Sequence, residues 1–116
     1  METNPVEIPL TMAFDINTIE FSEIEDSLVD MYNTRCHPNE PKFGKLQREC
    51  SIKYFNEIKH GSRNVTIRTL SGQCRKLIYT ICHLTHLKYE TWKENTLVDN
   101  EWRYWTVGVH IFRYTH

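Results

Sequence analysis

Glycine and proline are scarce in this sequence, and long apolar runs are absent. The four glycines are scattered, which excludes a collagen-like chain and a glycine-rich loop that would cradle a nucleotide phosphate. No apolar stretch approaches the ~18–20 residues that a membrane-spanning helix needs. The first residues have neither a basic segment nor a continuous apolar stretch, so we expect no secretory signal.

Signatures of catalysis are missing as well. The sequence contains no nucleophile elbow, no zinc-protease helix and no kinase motif. Its cysteines form no C-x-x-C pair; they are Cys36, Cys50, Cys74 and Cys82. Without a secretory signal we expect reduced thiols in an intracellular protein, cytoplasmic or nuclear. The sequence therefore predicts a non-enzymatic protein without a cofactor.

Basic residues are absent from the first 34 positions, which hold eight acidic residues, whereas residues 35–88 hold eleven basic and three acidic ones. This asymmetry predicts one of two arrangements. Either a basic surface meets an anionic partner, or the acidic segment folds over the basic one and neutralises it. Residues 1–21 are expected to form an acidic arm or an edge strand, since Pro9 cannot donate to a β-ladder.

A first helix is predicted over residues 22–34. Ser22 and Glu25 have capping-box spacing, and acidic residues crowd the first turn, where the helix dipole favours them. Three apolar residues follow at helical spacing: Ile24, Leu28 and Met31. This stripe either docks into a groove of a partner protein or packs on the protein's own sheet.

A second helix is predicted over residues 71–86, SGQCRKLIYTICHLTH, with Ser71 as its N-cap. Cys82 and His86 are one helical turn apart, the spacing of two zinc ligands. No second ligand pair lies at the spacing of a zinc module, so the sequence does not predict a complete metal site. We interpret this segment mainly as a packing helix with a polar flank.

The remaining segments predict strands. Residues 45–60 fit a helix or a strand, with the strand slightly favoured; residues 65–70 and 88–94 alternate as strands, and residues 95–100 read as a turn. The last strand runs from residue 101 to about 114. One face of that strand is expected to be core, with Trp105, Val107, Val109 and Ile111, and the other aromatic and polar.

The predicted order is thus β, α, β, β, α, β, β within one domain, residues 1–116. This is the α+β class, with an antiparallel sheet and two helices. It permits a ferredoxin-like split βαβ arrangement with an extra C-terminal strand, a fold that many unrelated functions use.

The favoured function is a small regulatory or accessory protein that binds RNA or single-stranded DNA. Phosphates need cations on one surface, and unpaired bases need planar groups for stacking. The predicted contacts are Lys53, Arg63, Arg68, Arg75 and Lys76 for phosphates, with Tyr104 and Phe112 for stacking. The alternative is a protein-interaction module, homodimeric if the final strand lies at a sheet edge.

Overall fold

The computed structural model describes residues 14–61, 63–69 and 71–113. Its elements are α1 (Phe21–Thr34), α2 (Lys45–Lys59), β1 (Asn64–Arg68), α3 (Gly72–Thr85), β2 (Lys88–Val98) and β3 (Glu101–Phe112). The predicted α+β class and antiparallel sheet are confirmed, with three helices among the described residues instead of the two predicted. The predicted arm or edge strand, residues 1–21, lies mostly outside the described residues. Its described part contains a turn over residues 16–18 and the first residue of α1, and the Phe14 N–H donates to the Leu84 carbonyl at 3.0 Å.

The sheet of the described residues has the order β1-β3-β2, and β3 runs antiparallel to both neighbours. β1 and β2 are therefore parallel, are joined through α3, and are separated by β3. This is a single split βαβ unit. The structure differs from the predicted element order because two helices precede the unit.

Residues 45–59 form helix α2, so the favoured strand prediction was wrong. The Gly44 N–H donates to Gln47 Oε1 at 2.9 Å, which satisfies one of the free donors at the helix start. Tyr54, Phe55 and Ile58 are buried on the side that packs against α3. The buried residues of α2 have helical spacing, and α3 covers them. This packing stabilises the helix over the strand that the same segment could also form.

Helix α1 begins slightly before the predicted start. Its N-cap is Glu20, whose N–H donates to Glu23 Oε2 at 2.7 Å, in place of the predicted pairing of Ser22 with Glu25. The apolar stripe of α1 is buried in the protein's own core: Ile24, Leu28 and Met31. The stripe therefore packs within the protein, as the second alternative predicted, but its main packing partner is α3 and not the sheet.

Helix α3 lies at the centre of the fold. Ser71 Oγ accepts a hydrogen bond from the Cys74 N–H at 3.3 Å, which confirms the predicted N-cap. α3 contacts α1 and α2 on one side and β2 and β3 on the other. Both sides of α3 are therefore covered, and Cys82, which has zinc-ligand spacing with His86, is fully buried.

Acidic residues of the first segment pair with basic residues of the second. Glu25 Oε2 lies 2.5 Å from Arg48 Nε, and Glu20 Oε1 lies 3.4 Å from Lys59 Nζ. These contacts join α1 to α2, so the predicted internal neutralisation occurs in part. Such partly exposed pairs contribute little to stability, because solvent screens them.

β2 and β3 form a long hairpin closed by Asp99 and Asn100. Both turn residues have positive φ, 51° and 64°, as a two-residue type I′ turn requires. Asp and Asn tolerate this left-handed conformation better than most residues do. The predicted turn over 95–100 is thus limited to two residues, and β2 continues to Val98.

A β-bulge divides the hairpin into two parts. Trp92 pairs with Gly108, but Lys93 pairs with Thr106, so Val107 is the extra residue in β3. Because side chains alternate along a strand, one inserted residue exchanges the two faces beyond it. The predicted face assignment therefore holds for Val107, Val109 and Ile111, which are buried, and fails for Trp105, which is 42% exposed.

Candidate functional site

The far end of the hairpin projects beyond the rest of the sheet, and we call it the distal ribbon, residues 93–98 and 101–106. β1 pairs with β3 only from Gly108 to Phe112, so no third strand reaches this part among the described residues. Residues 101–105 are all exposed. Since neighbouring strand residues point to opposite faces, both faces of the distal ribbon are open to solvent.

One face of the distal ribbon carries an aromatic patch formed by Leu97, Trp102 and Tyr104. Leu97 and Trp102 are directly opposite each other in the ladder, and Tyr104 is opposite Asn95. The exposed fractions are 53% for Leu97, 72% for Trp102 and 68% for Tyr104. This face continues the side of the sheet that α3 covers, but the patch itself is exposed.

Charged residues surround the aromatic patch without giving it a strong charge of one sign. Lys93 Nζ lies 5.8 Å from the centre of the Tyr104 ring, on the same face. Arg103 and Glu101 form a loose ion pair at 3.8 Å on the opposite face. The distal ribbon has two acidic residues, Glu94 and Glu101, and two basic ones, so its net charge is zero, and Asp99 in the turn adds one negative charge.

The outer face of the sheet, which points away from α3, carries a second group of aromatic rings. The rings of Trp92 and His110 stack with their centres 5.2 Å apart. The Arg68 guanidinium lies 5.5 Å from the centre of the Trp92 ring, and its Nη1 lies 3.7 Å from Glu94 Oε2. Beyond the bulge, Trp105 Nε1 donates to Thr96 Oγ1 at 2.9 Å on this same face.

The cations predicted to contact phosphates are distributed over several elements. Lys53 is exposed on α2, Arg63 is exposed just before β1, and Arg68 is exposed on the outer face. Arg75 Nη1 donates to the Thr69 carbonyl at 3.1 Å. Lys76 is only 19% exposed and lies 2.6 Å from Glu40 Oε2, an ion pair that holds the pKa of Glu40 below its usual range.

The two predicted stacking residues lie on opposite faces of the sheet. Phe112 shares the outer face with Arg68, because residues 108, 110 and 112 alternate with the buried positions of β3. Tyr104 lies on the other face, beyond the bulge. Among the predicted contacts, Arg68 and Phe112 thus share the outer face, although Arg68 pairs with Gly108 and Phe112 lies four residues further along β3, and Tyr104 lies on the other face.

The four cysteines are free thiols. Burial raises the pKa of Cys82 to about 12, so this thiol is neutral and apolar in character. Burial also raises the pKa of Tyr54 to about 12, with a further contribution from its hydrogen bond to Cys74. Burial raises the pKa of Cys74 as well, but hydrogen bonds from Tyr54 and Ser71 outweigh this effect and lower the pKa of the thiol overall.

The described residues bring no three His, Cys, Asp or Glu side chains together in a metal-binding arrangement. Cys82 and His86, which have the spacing of two zinc ligands, lie in different environments at the end of α3. Cys82 is buried, whereas His86 is exposed and forms the C-cap in the left-handed conformation, with φ 52°. Within the described ranges, no helix has the length and apolar character needed to cross a bilayer.

The chain matches no family model, no curated protein and no solved structure. The candidate site is therefore defined by its geometry alone. From the sequence, Leu97 was assigned to a turn, and Trp102 was not distinguished from the rest of the aromatic and polar face of the last strand. The signal that could have found them is the Asp-Asn dipeptide at 99–100, which favours a tight hairpin and so places Leu97 opposite Trp102.

Proposed function

We propose that this protein is a non-enzymatic protein-interaction module that binds a partner protein through the aromatic patch of the distal ribbon. The observation that carries the proposal is the exposure of Trp102 and Tyr104, at 72% and 68%, beside Leu97 on one face of a projecting hairpin. Trp and Tyr are the residues that most often dominate the binding energy of protein interfaces.

The shape and charge of the distal ribbon indicate the chemistry of the partner. A two-stranded ribbon is narrow and convex, so its aromatic patch fits an apolar groove on the partner. Lys93 and Arg103 with the neighbouring acidic side chains supply the polar rim that surrounds such contacts. The distal ribbon has no excess of positive charge, which favours a protein groove over a polyphosphate backbone at this site.

The test compares full-length protein carrying a photo-crosslinking amino acid at position 102 with protein carrying it at position 53. Both positions are exposed, but Lys53 lies on α2, away from the aromatic patch. In an extract of the source cells, we expect a protein that crosslinks from position 102 and not from position 53. If no protein shows this dependence on position, the proposal is wrong.

The crosslinked partner is then purified and titrated against wild type, Trp102→Ala and Lys53→Ala. Truncation of a central interface tryptophan costs about 2 kcal/mol or more, which corresponds to a loss of affinity of roughly thirtyfold. We expect that loss for Trp102→Ala and unchanged affinity for Lys53→Ala. Circular dichroism should show that both variants remain folded, because neither side chain is buried.

Binding of single-stranded nucleic acid is the second candidate function, and one observation favours it. On the outer face, the Arg68 guanidinium lies over Trp92, which stacks with His110, and Phe112 shares that face. A cation beside exposed ring faces is the combination that single-strand binders use. Against it, Glu90 and Glu94 lie on the same face, and Lys76 is held in its ion pair with Glu40.

This second candidate is tested by the anisotropy of labelled single-stranded RNA, duplex RNA and DNA at two salt concentrations. Salt-sensitive binding that Arg68→Ala weakens and Arg48→Ala leaves intact would support it, because Arg48 is paired with Glu25 at a distance from this face. Absence of binding at low salt would rule it out. Trp102→Ala is the matched variant that separates the two candidates, since it alters only the aromatic patch.

A further inference from the structure

β2 forms an edge of the sheet. One edge of β2 pairs with β3 along its whole length, and no strand among the described residues pairs with its other edge. The final strand β3, for which dimerisation was considered only if it lay at a sheet edge, lies between β1 and β2. An open edge presents a row of backbone donors and acceptors to which another extended chain can add.

A second copy of the chain can add to this edge in a limited number of registers. Two β2 strands related by a two-fold axis perpendicular to the sheet run antiparallel. Directly opposite residues have their side chains on the same face only in registers where one residue lies opposite its own copy, and the axis then passes between these two copies. Five such registers pair seven or more residues of Lys88–Val98, with the axis at Thr91, Trp92, Lys93, Glu94 or Asn95.

Charge distinguishes these five registers. An axis at Lys93 or Glu94 places that residue opposite its own copy, and an axis at Trp92 places Glu90 opposite Glu94 of the second copy. Like charges directly opposite each other destabilise a sheet. An axis at Asn95 forms no charge pair at all.

The register centred on Thr91 is the one that places opposite charges together. Lys88 lies opposite Glu94 of the second copy, and the symmetry forms this pair twice. Both residues are on the outer face. Glu94 already lies 3.7 Å from Arg68 of its own chain, so each pair extends into a group of three charges. On the other face, Tyr89 lies opposite Lys93, a cation beside an aromatic ring.

We propose that two copies of this chain associate through their β2 edges in the register centred on Thr91, which joins the two sheets into one six-stranded sheet. The strand order is β1-β3-β2 followed by the same three strands in reverse. The two distal ribbons then point in opposite directions, and both aromatic patches stay exposed. The proposal is independent of the proposed function, because it uses neither Trp102 nor Tyr104.

The test is a charge exchange, followed by analytical ultracentrifugation of full-length protein from about 1 to 500 micromolar. For wild type we expect a concentration-dependent dimer. Lys88→Glu and Glu94→Lys each convert both opposite-charge pairs to like-charge pairs, so each should weaken the dimer at least tenfold. The double variant K88E/E94K restores the opposite charges and should recover the wild-type dissociation constant within about threefold.

Two control variants complete the experiment. Lys53→Glu makes the same change of net charge on α2 and should leave the dimer unchanged. Trp102→Ala should also leave it unchanged. A monomer at all concentrations would overturn the proposal and would show that the charges of β2 protect its edge. A dimer that survives both single charge variants, or that Trp102→Ala dissolves, would equally overturn it.

Discussion

The ring of Trp92 lies across Gly108, its neighbour in the β2–β3 ladder. A Cβ atom built on Gly108 would be 2.9 Å from Trp92 Cε3 and 2.4 Å from the carbonyl oxygen of Ile67. Glycine is required here because the tryptophan and the backbone of β1 approach too closely for any side chain.

Gly108→Ala should therefore destabilise the protein by about 1–3 kcal/mol, the usual cost of overpacking. Urea denaturation followed by circular dichroism measures this change. Gly72→Ala is the matched control, since its added methyl group meets nothing closer than Arg75 Nη2 at 3.7 Å in the first turn of α3. That control should be neutral or stabilising by up to about 1 kcal/mol; equal effects at both glycines would contradict the explanation.

Arg113 joins the end of β3 to the end of α2. Its Nη1 atom donates to the carbonyl oxygens of Ile58 at 2.6 Å, Lys59 at 3.0 Å and Gly61 at 3.0 Å, and its Nη2 atom donates to Asn17 Oδ1. The last carbonyls of a helix lack partners within it and carry the negative end of the helix dipole.

Arg113→Ala should destabilise the protein by about 2–3 kcal/mol, because a charged donor is lost from several carbonyls at once. Arg113→Lys should recover only part of this loss, since an ammonium cannot reproduce the planar set of donors. Thermal unfolding of the three proteins measures both effects. Full rescue by lysine would show that charge alone is responsible.

Ser51 is fully buried in α2, and its Oγ atom has no hydrogen-bond partner among the described residues. Ser51→Ala removes a buried hydroxyl group whose burial is not offset and also raises the helix propensity, so we expect stabilisation of about 0.5–1.5 kcal/mol. Thr80→Ala is the control. The buried hydroxyl of Thr80 donates to the Lys76 carbonyl at 2.7 Å, and its loss should destabilise. If Ser51→Ala destabilised the protein as well, a bound water would be implied at this site.

His83 provides a pH-dependent contribution to stability. Burial lowers its pKa from 6.5, and the positive charges of Arg35 and His86 lower it further. The folded protein therefore binds fewer protons than the unfolded chain at pH values between the lowered pKa and 6.5. This contribution is fully present above pH 6.5 and is lost as the pH falls toward the lowered value.

The variant His83→Gln isolates this contribution. Glutamine can keep a hydrogen bond to Tyr89 Oη, which lies 3.2 Å from His83 Nε2 in the wild type. The stability of wild type relative to the variant should be greater at pH 7.5 than at pH 5.0, as measured by urea denaturation at each pH. Parallel pH profiles for the two proteins would show that His83 titrates alike in both states.

The extent to which the fold could be predicted depends on how local the deciding interactions are. The N-cap at Ser71, the stripe of Ile24, Leu28 and Met31, and the alternation of β1 are local patterns, and the structure has them where they were expected. The segment 45–59 has two competing local patterns. Its conformation is decided by α3, which follows it in the chain and covers its apolar side.

The candidate site was less predictable because it depends on a single inserted residue. Alternation along β3 correctly predicts which residues share a face from Phe112 back to Val107. Gly108 is a local hint, since an isolated glycine within a strand is typical of a bulge or of a close backbone approach, but it does not fix the position of the extra residue. Beyond it, Trp102 and Tyr104 change sides with respect to Val109, and Trp105 joins His110 on the outer face. Similarly, the pairing of Glu40 with Lys76 follows from the packing of distant segments, so the charge distribution along the chain could not show which cations are occupied.

The three tryptophans of the chain, Trp92, Trp102 and Trp105, all belong to the β2–β3 hairpin, and α1, α2 and α3 contain none. Intrinsic tryptophan fluorescence is therefore a reporter of the hairpin alone, whereas far-ultraviolet circular dichroism is dominated by the helices. Coincident denaturation curves from the two signals would show that hairpin and helices unfold as one cooperative unit. If the fluorescence changed at lower denaturant, the distal ribbon would open while the helical core remained folded, which would make this end of the molecule its least stable part.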